Sequence, residues 1–205
     1  ISDVQPGPEG SHPSLLAGVG ADLLFAANDG SHGFELWRTD GTPSGTTMVK
    51  DIAPGPAGSA LASLTAVDNL VFFSADDGVS GREPWRSDGT PAGTFRLLDV
   101  QPGPESSMTQ TQVIADWGGF AFFGAAAPAT GHELWRSDGT PGDTRLVQDI
   151  GPGIVSAGLG GPLLSAGGRL FFTAADEAGT ELWTLLPELS VSDVTADEGT
   201  HALVT

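Results

Sequence analysis

The chain has 205 residues and is strongly acidic, with 26 Asp and Glu against 8 Lys and Arg, a formal charge of −18. That charge opposes phosphate and argues against a nucleic-acid partner. The absence of Cys excludes a disulfide framework, a thiolate nucleophile and a Cys-ligated metal. No apolar run approaches the roughly 20 residues needed to cross a bilayer as a helix, so membrane insertion is not expected.

The chain carries 30 Gly and 15 Pro, a share that would suggest disorder if they were scattered. They are periodic instead. In chain order, Ile1-Ser2-Asp3-Val4 opens a D-[VI]-x-P-G text that returns at Asp51, Asp99 and Asp149. An apolar doublet follows at Leu24-Phe25, then at Phe72-Phe73, Phe122-Phe123 and Phe171-Phe172. Next comes GFELWRTDGTPSGTTMVKDIAPG from Gly33, matched by GREPWRSDGTPAGTFRLLDVQPG from Gly81 and GHELWRSDGTPGDTRLVQDIGPG from Gly131. A shorter copy, GTELWTLLPE, begins at Gly179. The Trp markers are Trp37, Trp85, Trp135 and Trp183, at steps of 48, 50 and 48. Self-similarity in three independent markers is the signature of a repeat architecture.

Each unit reads as short strands without a helix. In the second unit LTAV and LVFFSA flank Asp68-Asn69, which predicts a hairpin. The loop DDGVSG leads to REPWRSD, the turn DGTPAG follows, and TFRLLDV is the fourth strand. Four antiparallel strands in about 48 residues match a β-propeller blade. The expected fold is therefore all-β, a β-propeller of four blades of four antiparallel strands over residues 1–187, with Trp and the Phe doublets filling the space between blades. Residues 1–4 are expected to supply the missing fourth strand of the last blade and close the ring. The alternative is that residues 191–194 (VSDV) complete that blade and the chain is a four-blade segment of a larger propeller. Residues 188–205 are expected to be a linker and the first strand of a truncated or docked next domain.

The repeated ELWRTDGT, EPWRSDGT and ELWRSDGT, each followed by D-[VI]-x-P-G, resemble the ELWxxDGT repeat family over roughly residues 3–186. The resemblance implies a secreted or surface-attached bacterial protein, extracellular or on the cell surface, often joined to other modules and without a defined enzyme activity. Two departures stand out: Pro84 replaces Leu, and the fourth unit lacks DGT. Pro84 has no amide hydrogen, so its position is expected to face away from a ladder partner. After Pro187, ELSVSDVTADEGTHALVT resembles the opening strand of a Calx-beta domain.

Asp40, Asp88 and Asp138 in the DGT turns, and Asp3, Asp51, Asp99 and Asp149 before PG, are the residue type that caps its own turn. Glu35, Glu83, Glu133 and Glu181 recur two residues before each Trp. They share its strand face, while Arg38, Arg86 and Arg136 lie on the other, and both are expected to serve the frame of every blade, Glu with a backbone donor or Arg with a nearby carboxylate. The loop between second and third strands carries Asp29, Asp77 and Asp176, with Glu177 as a helper, while the third unit has no acid there. Carboxylates beside Gly suit a hard cation, and Ca2+ is the cofactor they would take. Trp117 occurs in the third unit only, beside Gly118-Gly119, and is the candidate platform for a sugar ring. No nucleophile elbow, HExxH or phosphate loop is present. A carboxylate pair for glycoside hydrolysis stays open among 26 acids. The expected role is a non-catalytic module for binding, adhesion or scaffolding, meeting a protein or glycan partner at its loops. A lectin-like carbohydrate binder and a structural subunit of a larger surface assembly are the alternatives.

Overall fold

In a computed structural model of the chain, residues 1–159, 161–186 and 201–204 are described, the last four by their backbone alone. The described chain is all-β, with four four-stranded sheets. It divides into two units, Ile1–Thr111 and Gln112–Thr205.

In the first unit one sheet has the order β1 (Ser14–Val19), β2 (Asp22–Asn28), β3 (Phe34–Thr39), β4 (Thr47–Lys50). The next has the order β5 (Ala62–Val67), β6 (Leu70–Asp76), β7 (Arg82–Ser87), β8 (Phe95–Arg96). The expected Asp68-Asn69 hairpin is there: Val67 pairs with Leu70, and Asp68 takes a φ of 51°. The sheets stack because alternate strand residues face opposite sides. Leu24, Ala26 and Leu36 of the first sheet meet Val71, Phe73 and Trp85 of the second, all 6% exposed or less. Phe73 and Trp85 stack with ring centroids 6.4 Å apart. Burying each large apolar side chain contributes about 1.5–3 kcal/mol. Lys50 adds a polar clasp: its ammonium lies 5.8 Å from the centroid of the Trp85 ring and donates to the Thr94 carbonyl at 2.7 Å.

Pro84 pairs with Ser74 across β6, and its carbonyl accepts from Leu97 N at 2.9 Å on the β8 side. A residue's N and C=O point to the same side of its strand, so the missing donor also faces β8. The equivalent Leu36 and Leu134 pair with Lys50 and Gln148, whereas β8 stops at Arg96. Pro84 thus shortens an edge strand.

In the second unit one sheet has β9 (Ile114–Trp117), β10 (Phe120–Ala127), β11 (Gly131–Ser137) and β12 (Arg145–Gln148) in sequential order, with a single 3-10 turn at Pro141–Asp143 before β12. The last has β13 (Leu164–Ala166), β14 (Arg169–Asp176), β15 (Gly179–Leu186) and β16 (His201–Val204). Phe122 and Leu134 meet Leu170, Phe172 and Trp183 in the core between them.

The last sheet corrects one expectation. Its fourth strand is β16, which runs parallel to β15 with Trp183 opposite His201. Ile1–Val4 form no strand, and the amino group of Ile1 lies 3.5 Å from the Gly41 carbonyl. The equivalent fourth strands follow a DGTPxGT turn that folds them straight back on the third. The fourth repeat lacks that turn, and its sheet edge is taken instead by His201–Val204, which runs parallel to β15. The alternative, 191–194, and the Calx-beta-like text over 188–200 lie outside the described residues.

Candidate functional site

The recurring polar residues resolve into three structural roles, and the symmetry-breaking ones remain as the candidate site. The first role belongs to the Glu two positions before each Trp. Glu35, Glu83 and Glu133 are 0% exposed. Glu35 accepts from Ile52 N at 2.9 Å, Ala53 N at 3.1 Å and Ser59 Oγ at 2.8 Å. Glu83 accepts from Val100 N at 2.9 Å, Gln101 N at 3.4 Å, Ser107 N at 3.2 Å and Ser107 Oγ at 2.7 Å. Glu133 accepts from Ile150 N, Gly151 N and Ala157 N at 3.0–3.1 Å. Each carboxylate therefore ties down the D-[VI]-x-P-G segment that leaves its own sheet. The same segment crosses to the next sheet: Ser59 N donates to Phe34 O and Ser59 O accepts from Asp76 N, at 3.0 and 2.9 Å. Ala157 bridges His132 O and Ala175 N in the second unit. Burial pushes all three carboxyls above the ordinary Glu value, although these donors pull the other way. The sequence identified these Glu as frame residues but not their partners, because the donors lie 17 to 24 residues downstream. The Ser of Ser59 and Ser107, recurring at that distance, was the signal that could have found them.

The second role is the DGT turn. Asp40, Asp88 and Asp138 accept from the amide and hydroxyl of the Thr two residues on, at 2.7–2.9 Å. Thr39, Ser87 and Ser137 share a hydrogen bond of 2.7 Å with Thr46, Thr94 and Thr144. A Cβ at Gly93 would sit 2.1 Å from the Asp88 carboxylate, so this position admits no side chain without a change of turn. The third unit has Asp143 there, and the turn becomes the 3-10 segment.

The third role falls to the acids in the loops between second and third strands. Asp29 Oδ1 accepts from Ser31 N and His32 N at 2.8 and 2.9 Å, and its Oδ2 lies 2.7 Å from His32 Nδ1. Asp77 Oδ1 accepts from Val79 N and Ser80 N at 3.0 and 2.8 Å. Arg96 bridges Asp77 and Asp99 at 3.7 and 3.6 Å. Asp176 Oδ1 accepts from Ala178 N at 2.7 Å, and Glu177 is exposed. The structure places the three Asp in three separate loops, each turned on its own loop backbone. In the first two a protein side chain, the His32 imidazole or the Arg96 guanidinium, stands beside the carboxylate. Among the described residues no three His, Asp or Glu side chains converge on one metal position.

The symmetry-breaking residues lie elsewhere. Trp117 is half-buried at the end of β9, pairs with Phe120 across Gly118-Gly119, and meets Phe122 edge-on at 5.6 Å. Both glycines take positive φ, 64° and 79°, as a two-residue hairpin of this hand requires. His132 sits where the first two units have Phe34 and Arg82. Its Nε2 lies 3.1 Å from Gln112 Oε1, and Gln112 Nε2 donates to the Leu159 carbonyl at 3.3 Å. Burial holds His132 below the ordinary His value, whereas the hydrogen bond to Asp29 raises His32. Sequence patterning did not single out this His132–Gln112 pair. Gly124, in the strand position of Ser74, was the available signal: a Cβ there would lie 2.4 Å from Gln112 Nε2 and 2.7 Å from His132 Cε1.

No family model matches the chain, and no curated protein matches it. Among solved structures it is similar to a puromycin hydrolase, at 17% identity and a TM-score of 0.48, over 85% of this chain and 26% of that one. It is also similar to an α-L-arabinofuranosidase from Clostridium thermocellum, at 14% identity and a TM-score of 0.27, over 81% of this chain and 61% of that one. The chain thus spans less than two thirds of either protein.

Proposed function

We propose that the chain is a non-catalytic, extracellular or cell-surface repeat module of the ELWxxDGT type, whose four sheets serve as blades of a β-propeller. It works in binding, adhesion or scaffolding and meets a protein or glycan partner at its loops. The supporting observation is how the recurring acids are used. Glu35, Glu83 and Glu133 are buried on loop amides, and Asp40, Asp88 and Asp138 cap their own turns. Residues repeated in every sheet serve what every sheet needs, so recognition falls to the loops and to the residues found once. The charge of −18 favours cationic partners or divalent ions and repels like-charged surfaces.

The half-buried Trp117 favours a second reading, a lectin-like module that stacks a sugar on the exposed part of its indole. Trp emission followed across a panel of glycans separates the two. A response lost in Trp117→Ala supports the lectin, and silence across the panel removes it. The non-catalytic reading is tested with a panel of glycoside, ester and amide substrates. Turnover abolished by a single carboxylate substitution would overturn it.

A further inference from the structure

The segment before the first sheet repeats the crossover that Glu35 and Glu83 each hold. Asp3, Val4, Gln5 and Ser11 stand one period of 48 before Asp51, Ile52, Ala53 and Ser59. The backbone repeats with them. Gly7, Gly55 and Gly103 take φ of 119°, 114° and 103°, and Gly10 and Gly58 take 68° and 71°. Even the non-glycine pair His12 and Ala60 matches, at 44° and 48°. Ser11 O accepts from Asn28 N at 3.0 Å, as Ser59 O accepts from Asp76 N at 2.9 Å. The segment is thus seated on its own sheet as its counterpart is. The donors on its other side differ. Ile52 N, Ala53 N and Ser59 Oγ donate to Glu35, and Ser59 N donates to the Phe34 carbonyl. Val4 N, Gln5 N, Ser11 N and Ser11 Oγ hold the same places in the repeat and have no acceptor among the described residues. A cavity of about 260 Å³ adjoins them, lined in part by Val4, Ser11, Pro13, Leu23 and Phe25. The counterparts Ile52, Leu61, Val71 and Phe73 pack in one cluster with Leu24 and Leu36.

We propose that the Val4–Ser11 segment is a carboxylate-binding site for a partner strand from outside this chain, one that carries Glu followed by an apolar residue. The Glu carboxylate takes Val4 N, Gln5 N and Ser11 Oγ. The carbonyl of the residue before it takes Ser11 N, and the apolar residue enters the cavity. The ligand chemistry follows from the donors. Backbone amides and a hydroxyl offer hydrogens only to an acceptor, and an ionised acceptor with two oxygens gives the strongest bonds. Each counterpart segment shows what fills such a set: Glu35, Glu83 and Glu133, all 0% exposed, each from a strand in which an apolar or Pro residue follows. Those three Glu are spent on their own crossovers, so they do not supply this one. The inference rests on the repeat architecture and not on the loop-binding role.

NMR titration of the full, isotope-labelled chain with a blocked GFELWRT peptide, the text of residues 33–39, tests this. The Val4, Gln5 and Ser11 amides are expected to move downfield and to gain protection from exchange. The same peptide with Glu35→Gln binds at least about tenfold more weakly, because a neutral amide forfeits the charged acceptor. Ser11→Ala in the chain weakens binding several-fold and leaves the fold intact, since Ala157 serves the third crossover through its amide alone. Glu181→Ala leaves the three amides as they are in the unmodified chain. Amides that stay unmoved up to millimolar peptide overturn the proposal, as does equal binding of the Glu35→Gln peptide. So do amides that are already protected in the free chain and lose that protection in Glu181→Ala, since the acceptor would then come from this chain. Failure here leaves the binding role above untouched, because none of these donors lies in the loops between second and third strands.

Discussion

Replacing Glu83 with Ala deletes the acceptor of three backbone amides and the Ser107 hydroxyl in a site closed to solvent. A hydrogen bond to a charged group contributes about 1.5–3 kcal/mol. Four of them give a gross stabilisation of about 6–12 kcal/mol. Against this stands the cost of burying the carboxylate, several kcal/mol, which is the same cost that lifts its pKa. The net loss expected is ~3–5 kcal/mol, the range found when one partner of a buried charged contact is removed. Urea denaturation measures the global loss. Hydrogen exchange at the Val100, Gln101 and Ser107 amides localises it. Glu181 provides the control: it occupies the same place in the repeat, is not fully buried, and holds no loop amide among the described residues. Glu181→Ala is expected to cost less than about 1 kcal/mol. Equal losses in the two variants, or retained protection at the three amides in Glu83→Ala, would show that the carboxylate is not what holds the segment.

Glu83→Gln carries the pH dependence of the same site. A carboxyl raised above the ordinary Glu value of 4.5 gives stability that is complete below that pH and is lost as pH rises through the folded value. The stability of wild type over Glu83→Gln should therefore be largest below pH 4.5 and shrink as pH rises; the opposite slope refutes the assignment. The two loop histidines should titrate apart by NMR, His32 above 6.5 and His132 below it, with His32 moving down in Asp29→Asn. A His32 unmoved by Asp29→Asn would mean that the hydrogen bond is not its cause. Gly124→Ala should cost about 1–3 kcal/mol by pushing on Gln112 and His132, and pairing it with Gln112→Ala should recover part of the loss; two strictly additive losses would place the strain elsewhere. If a hard cation sits at the Asp29, Asp77 and Asp176 loops, Ca2+ at ten times its Kd adds about 1.4 kcal/mol. That is a rise of roughly 3–6 °C in Tm, reversed by chelator. An unchanged melt removes Ca2+ from the functional reading.

The departures from expectation share a cause with the successes. Strand identity, the Asp68-Asn69 and Gly118-Gly119 hairpins and the self-capped DGT turns follow from residues at most a few positions apart. Alternation, turn chemistry and side-chain reach act at that range, and the 48-residue period multiplies one reading into several. The second strand to third strand loops were legible as acidic for the same reason. Whether their acids meet a cation was not, since that depends on what else arrives, and in the second sheet Arg96 arrives from a strand 19 residues after Asp77.

Sequence alone determined that this protein is a repeat of four short-stranded sheets with a Trp–Phe face and with Asp and Glu built into the frame. Tertiary structure decided where those groups find partners: Glu83 on amides across a crossover, His132 on Gln112, and the last sheet edge on His201–Val204 instead of Ile1–Val4. The physical reason is loop closure. Contacts across one turn are dictated by the residues of that turn. Contacts across 17 to 24 residues, or across the missing turn after β15, depend on the path of the intervening chain, which local propensity does not set.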